Sequence, residues 1–281
     1  MPYGARLLPG SGGRLAPGGG GYGGGGASPG ERAPPMTASW RLDGRTALVT
    51  GGSRGIGLAI ATALAQAGAR VVVHGAEAHA REAESEAARL PGAVPLALDL
   101  GPPGSGLELA GRAGPVDILV LCASVQVEAA WDAATPEAMD LQWAVNLRES
   151  LVLAQALVPG MLERRWGRVL GVSSVQASRP HPMMMVYAGT KAALGNMLRN
   201  LAKQTAARGV TANLISPGAI ETARNAAALA DPGYRARVLE RIPAARLGRP
   251  EDCAGAALFL CSDAAAYVTG ADIPVDGGLA L

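Results

Sequence analysis

The chain has 281 residues, 49% of them hydrophobic, which is enough apolar material for a sizeable core. Its net charge of +2 resides in the first 35 residues, where Arg6, Arg14 and Arg32 stand against Glu31. The remainder is neutral, which argues against charge-driven binding to nucleic acid or to an anionic membrane.

In chain order, residues 1–35 form a Gly/Pro-rich leader that cannot bury enough apolar area to offset its ordering entropy, so disorder is expected there. Ordinary globular composition starts at Met36, which is the expected natural start, and residues 36–281 read as one catalytic domain with no internal linker. Short apolar runs then alternate with helical patterns. "ALVTG" precedes "GLAIATALAQAG", and "RVVVHG" precedes "AEAHAREAESEAARL". "VPLALDL" is followed by a short connection, opened by "GPPGSG", that predicts a stunted helix on the outside before "DILVLCA". "GRVLGVSS" precedes a helix from about Tyr187 to Ala207, and "VTANLISPG" follows it. Apolar runs of this length, bounded by Gly, Pro or Asp, suit strands buried on both faces. Their alternation with helices predicts an α/β fold: a Rossmann-type, doubly wound parallel sheet with helices on both faces, binding ligands at the strands' carboxyl ends.

No apolar run approaches the roughly 18 residues needed to span a bilayer, and the N-terminus lacks the compact apolar core of a secretory signal. Cys122, Cys253 and Cys261 show no metal or disulfide spacing and read as reduced core thiols of a cytoplasmic protein. His74, His79 and His181 are likewise unpaired, so no metal is expected.

The turn "TGGSRGIG" places Gly51, Gly55 and Gly57 between the first strand and the first helix, spaced G-x-x-x-G-x-G. Glycine lets the backbone approach a pyrophosphate, and the helix start offers free N–H groups and a positive dipole end. At the end of the second strand, an NAD site usually carries an acidic residue for the ribose 2′-hydroxyl. Here that place falls on Gly75, then Ala76, with Arg54 close by, which favours NADP while leaving NAD open through Glu77.

The chain has only two lysines, and one, Lys191, sits four residues after Tyr187 in "YAGTK". On a helix that offset brings the ammonium to the phenol's face, where a positive charge lowers the pKa of a group otherwise near 10. The pair then suits proton transfer in carbonyl/alcohol interconversion. Ser174 ends the strand "GRVLGVSS" and can donate to the oxygen that gains charge as hydride arrives. The alternative for Ser174 is a strand-end serine that satisfies turn backbone.

With these pieces the sequence resembles the short-chain dehydrogenase/reductase family, in its compact branch of about 250 residues. "TGGSRGIG", "VNL" at 145–147, Ser174, "YAGTK", "SPGAIET", "GRPED" and "YVTGADIPVDGG" occur in family order. The resemblance implies Tyr187 as acid/base, Lys191 tuning it and holding the nicotinamide ribose, Ser174 orienting the substrate oxygen, and Asn146 anchoring a relay water. It implies cofactor contacts at Gly51, Ser53, Arg54, Gly55, Ile56 and Gly57, at Asp99 and Leu100 near adenine, and at Ala123. Pro217, Gly218, Ile220 and Thr222 would serve the nicotinamide end. It also implies a small alcohol or ketone substrate and a homotetramer or homodimer, with "VDGG" at 275–278 contributing to the interface.

The closest flavour is the 3-oxoacyl-thioester reductases, with an NAD-using sugar/polyol dehydrogenase as alternative and a non-catalytic NADP-binding sensor or scaffold as a rival of another class. One departure stands out: the family commonly has N-N-A-G after the fourth strand, whereas this chain has Leu121, Cys122, Ala123 and Ser124. Loss of the amides removes groups that brace the sheet. His181 is either a substrate contact or a loop residue braced by Pro180 and Pro182. Trp131 and Trp143 are expected in the core, with the pocket mouth as the alternative, and the run Met183–Met185 is expected to pack, with an apolar wall beside a hydrophobic substrate as the alternative.

Overall fold

The structure, a computed structural model, describes residues 38–281, so the expected disorder of the leader lies outside the described residues. Seven strands form one parallel sheet in the order β3-β2-β1-β4-β5-β6-β7. The strands are β1 (Thr46–Thr50), β2 (Arg70–Gly75), β3 (Val94–Ala97), β4 (Ile118–Leu121), β5 (Gly167–Val172), β6 (Val210–Pro217) and β7 (Asp272–Val275). Six correspond to the apolar runs of the sequence. The seventh, "DIPV", has no counterpart among those runs: it is short, only partly buried, and carries a proline, so it lacks an apolar signature.

The helices are α1 (Gly55–Gln66), α2 (Ala80–Arg89), α3 (Ser105–Ala113), α4 (Pro136–Trp143), α5 (Glu149–Glu163), α6 (Met185–Thr205), α7 (Ala223–Leu229), α8 (Pro232–Leu239) and α9 (Pro250–Cys261). Ile60 of α1, Ala87 of α2 and Leu260 of α9 share one core with Val49, Val71 and Val120. Leu109 of α3, Leu153 of α5 and Leu198 of α6 share the other with Leu48, Val72 and Leu119. Adjacent strand residues thus point into opposite cores, as the pleat requires, and each buried Leu or Ile contributes roughly 1.5–3 kcal/mol. The predicted stunted helix is α3, nine residues long. It starts over the buried Glu149 carboxylate, which accepts from the Gly106 N–H at 2.8 Å.

Two close approaches set the site. A Cβ on Gly171 of β5 would lie 2.6 Å from Leu198 Cδ1, so the glycine lets α6 settle directly on the sheet. Between α4 and α5 the chain makes a π-helical turn, Ala144–Arg148, that carries Asn146. Such turns are frequent at functional sites.

The tryptophans correct the sequence reading. Trp131 is 77% exposed and Trp143 41% exposed, and Met183 and Met185 are exposed as well. Trp131 falls in a turn and Met183 in a loop, where no helical period selects an inward face, and Trp143 lies on the outer side of α4.

Candidate active site

A cavity of about 1040 Å³ opens along the carboxyl edge of the sheet. At one end lies the glycine turn. Gly57 is required there, because a Cβ would stand 2.1 Å from the Gly51 carbonyl oxygen, and Gly51 itself has φ +65° and backs onto Ala123. The N-cap of α1, Arg54, makes no side-chain capping bond, and the first turn holds no acidic residue. The opening N–H groups of α1 thus face the cavity uncapped, an arrangement that fits an anionic pyrophosphate. Ser53, Arg54, Gly55 and Ile56 line this end, with Asp99 and Leu100.

His74 supports the turn from beneath. Its Nδ1 accepts from the Gly51 N–H at 3.2 Å, so Nε2–H donates to the Leu98 carbonyl at 2.9 Å, and one neutral imidazole links the ends of β1, β2 and β3. Burial pushes its pKa down from 6.5 to about 4. At the end of β2, a Cβ on Gly75 would meet Ser53 Oγ at 3.0 Å. Glu77 does not line the cavity, and its N–H is held by Asp99 Oδ1 at 3.1 Å.

Ser174, Tyr187 and Lys191 come together at the middle of the cavity. Ser174 Oγ accepts from the Gln176 N–H at 3.1 Å, the turn-satisfying role, while the residue also lines the cavity beside Tyr187. Lys191 Nζ lies 5.6 Å above the Tyr187 ring centroid and donates to the Val172 carbonyl at 2.8 Å. Both side chains are buried, at 7% and 2% exposure.

The electrostatics revise one expectation. Burial pushes the Tyr187 phenol above its ordinary range, and the first opposing influence is the Arg224 guanidinium, not Lys191. Burial also lowers Lys191, to about 8. An ammonium held over the ring face and tied to a carbonyl acts on the phenolic oxygen less than a spacing of four residues suggested.

Asn146 is buried. Its Oδ1 accepts from Val125 N–H at 2.7 Å, and its Nδ2 donates to the Val125 carbonyl at 2.9 Å and to Thr190 Oγ1 at 3.0 Å. It therefore braces the segment after β4. Thr50 completes the support: its Oγ1 accepts from Cys122 N–H at 2.9 Å and Ala123 N–H at 3.1 Å, and donates to the Val120 carbonyl at 3.1 Å. The bracing lost with the amides of N-N-A-G is present from these two residues. At the far side, the turn Pro217–Gly218 is pinned by Gly218 N–H on the Val275 carbonyl, and Ile220 and Thr222 face the cavity. Every residue that the resemblance assigned to substrate or cofactor lines this cavity, except Asn146, which lies behind it.

A family model described as Enoyl-(Acyl carrier protein) reductase matches residues 51–280. The acetoacetyl-CoA reductase of Allochromatium vinosum is 36% identical over 244 residues, covering 84% of this chain and 98% of that protein. A solved 3-oxoacyl (acyl-carrier-protein) reductase of Agrobacterium tumefaciens with NADP bound superposes with TM-score 0.82 at 42% identity, covering 87% of this chain and 97% of that one. A gluconate 5-dehydrogenase of Burkholderia cenocepacia in complex with NADP and tartrate gives 0.78 at 34%, covering 86% and 98%.

The chain belongs to the short-chain dehydrogenase/reductase family.

As a member of this family it is an NAD(P)-dependent oxidoreductase acting on alcohol and carbonyl groups. Several cavity residues escaped the sequence reading, among them His79, Gln176, Arg179, Arg224 and Arg241. For Arg224 a signal existed: it follows Thr222 by two residues and opens a helix beside the family's "SPGAIET". His181, singled out as a possible substrate contact, does line the cavity, and its Nδ1 accepts from Met183 N–H at 3.3 Å.

Proposed function

We propose that this chain is an NADP(H)-dependent reductase of the 3-oxoacyl-reductase type, interconverting a ketone and a secondary alcohol through Ser174, Tyr187 and Lys191. The observation that carries this reading is that these three side chains share one cavity with an uncapped glycine turn. The turn residues Gly51 to Gly57 would hold the pyrophosphate, and Ile220 and Thr222 the nicotinamide end. When bound, the nicotinamide supplies or accepts the hydride.

The protein's own residues do the rest. Ser174 donates to the substrate oxygen and orients it against the phenol. A Tyr187 phenol kept protonated by burial is ready to donate at that oxygen in the reduction direction. Lys191 stands behind the ring and would hold a ribose hydroxyl of the cofactor, and Asn146 holds the backbone through which a relay water would be anchored. Enclosure strengthens each of these interactions by excluding bulk water.

NADP is preferred over NAD because Gly75 and Ala76 offer no carboxylate, Ser53 Oγ occupies the space into which a side chain at 75 would project, and Arg54 and His79 lie nearby. Residues 36–281 would be the catalytic domain of a cytoplasmic homo-oligomer. Among the described residues no helix is long and apolar enough to cross a membrane, and the exposed Trp143, Leu151 and Tyr267 are apolar surface suited to subunit contact.

Initial rates with NADPH and NADH on acetoacetyl-CoA and a panel of neutral ketones and ketoses test this. NADPH-dependent turnover at least tenfold above NADH is expected. A preference for NADH overturns the cofactor assignment, and no turnover on any ketone overturns the enzymatic one in favour of a binding protein.

A further inference from the structure

We propose that Arg224 is the specificity-determining residue of this enzyme, clasping a carboxylate next to the reacting carbon, so that its substrates are short oxo or hydroxy acids. This rests on the ketone-reductase reading above and moves its substrate class from acyl thioesters to free acids.

Arg224 is the only charged side chain of α7, a helix with no buried residue and therefore no core role. Its guanidinium crosses the cavity to the segment after β4. Nη1 donates to Ser124 Oγ at 3.0 Å and Nη2 to the Ser124 carbonyl at 2.7 Å. Ser124 is the residue that departs from the glycine of N-N-A-G, so the departure and the arginine are two halves of one contact. These bonds use two of five N–H donors and fix the plane of the group, leaving three donors free.

Among the described residues no carboxylate lies within 4 Å of Arg224. The other cations of this end differ. Arg179 is occupied by the C-terminal carbonyls of Leu279 and Leu281, and Arg235 by Glu221. Arg241 lines the cavity without a carboxylate partner and adds to the positive field. The carboxylate at this end, Glu128, is hydrogen-bonded to Gln126. A fixed guanidinium with unused donors and no counter-charge matches a carboxylate in shape and sign.

The position of the anion follows from what Arg224 touches. It shares the cavity with the Tyr187 phenol, and after burial its charge is the foremost influence on that group. A carboxylate on Arg224 therefore stands on the same side of the cavity as the oxygen that Tyr187 protonates, close to the reacting carbon. A long acyl chain with a distant carboxylate would not satisfy both. A neutral ester or thioester at the same place would leave the guanidinium without its counter-charge.

Two matched sets of probes test this. In reduction with NADPH, acetoacetate is compared with its methyl ester and its N-acetylcysteamine thioester, three molecules sharing one ketone. In oxidation with NADP, D-gluconate is compared with D-sorbitol. In the wild type, kcat/KM for the acid is expected to exceed that for its neutral counterpart at least tenfold in one set or both. Arg224→Met should bring that ratio to within threefold of one, chiefly by raising KM for the acid, and Arg224→Lys should restore part of it. The dissociation constant of NADPH, measured by fluorescence titration, should move less than threefold.

Equal or better use of the neutral probes overturns the inference. So does a fall in acid and neutral turnover together in Arg224→Met, which would place the arginine on the phenol or the developing oxyanion. A large loss of NADPH affinity would assign it to the cofactor instead. Turnover of neutral ketones in the wider panel with none of the acids sinks this inference and leaves the proposed function standing, whereas no turnover on any ketone removes both.

Discussion

The two ends of the cavity are built from different materials. At the end proposed for the cofactor the lining is largely backbone: the glycine turn, the start of α1 and the peptide groups after β4, all resting on buried side chains such as His74, Thr50 and Asn146. At the substrate end they are side chains, carried by α7 and α8, neither of which has a buried residue. Backbone N–H groups cannot be exchanged by substitution, and their support is woven into the core. Exposed side chains on helices without a core can be replaced at little expense to the fold. An enzyme that must hold one cofactor and choose among many substrates has reason to divide its construction in this way.

The comparison predicts that damage at the cofactor end is global and damage at the substrate end is local. Gly57→Ala puts a methyl 2.1 Å from the Gly51 oxygen, with backbone on both sides of the clash. NADPH affinity should fall at least 100-fold, with a loss of roughly 2 kcal/mol in stability from the forced backbone shift. Unchanged cofactor titration in this variant would break the comparison at its strongest point. Thr50→Val leaves the Cys122 and Ala123 N–H groups without their acceptor and should lower stability by about 2–6 kcal/mol in denaturant melts, at 1–3 kcal/mol for each buried donor left unmade.

Legibility in the sequence followed the same division. The glycine turn, six strands and the Tyr187–Lys191 helix were readable because steric need and buried alternation leave fixed spacings. The strand β7 was not, since Asp272 and Pro274 break the apolar pattern and its place is set by pairing with β6. Arg224 had a signal in its place two residues after Thr222, but its pairing had none, because Ser124 lies 100 residues away. The electrostatics of Tyr187 are illegible for a related reason: a spacing of four gives proximity to a lysine but carries no information on burial or on a third group arriving from another helix.

His74 sharpens the contrast through pH. Its folded pKa of about 4 lies below the ordinary 6.5, so the unfolded chain binds the proton more readily. The stability it confers is full above pH 6.5 and is lost as pH falls toward 4, by up to roughly 3 kcal/mol at 1.36 kcal/mol per pKa unit. Denaturant melts of the wild type should show this slope, and His74→Gln should flatten it. A slope of equal size in the variant would assign the acid sensitivity elsewhere. The smallest effect belongs to the substrate end: Arg235→Ala removes an exposed pair with Glu221 and should change stability by no more than about 0.5 kcal/mol. A loss comparable to that of Thr50→Val would mean that α8 is part of the core.

The central claim is that a buried phenol, oriented by Ser174, delivers the proton to a ketone beside a bound dinucleotide. Single-turnover reduction by Tyr187→Phe, with NADPH affinity measured on the same sample, tests it most directly. The account predicts a fall in rate of at least 100-fold, as expected for loss of a positioned acid, with NADPH binding within threefold of the wild type. A rate that survives the substitution while the cofactor stays bound would contradict it.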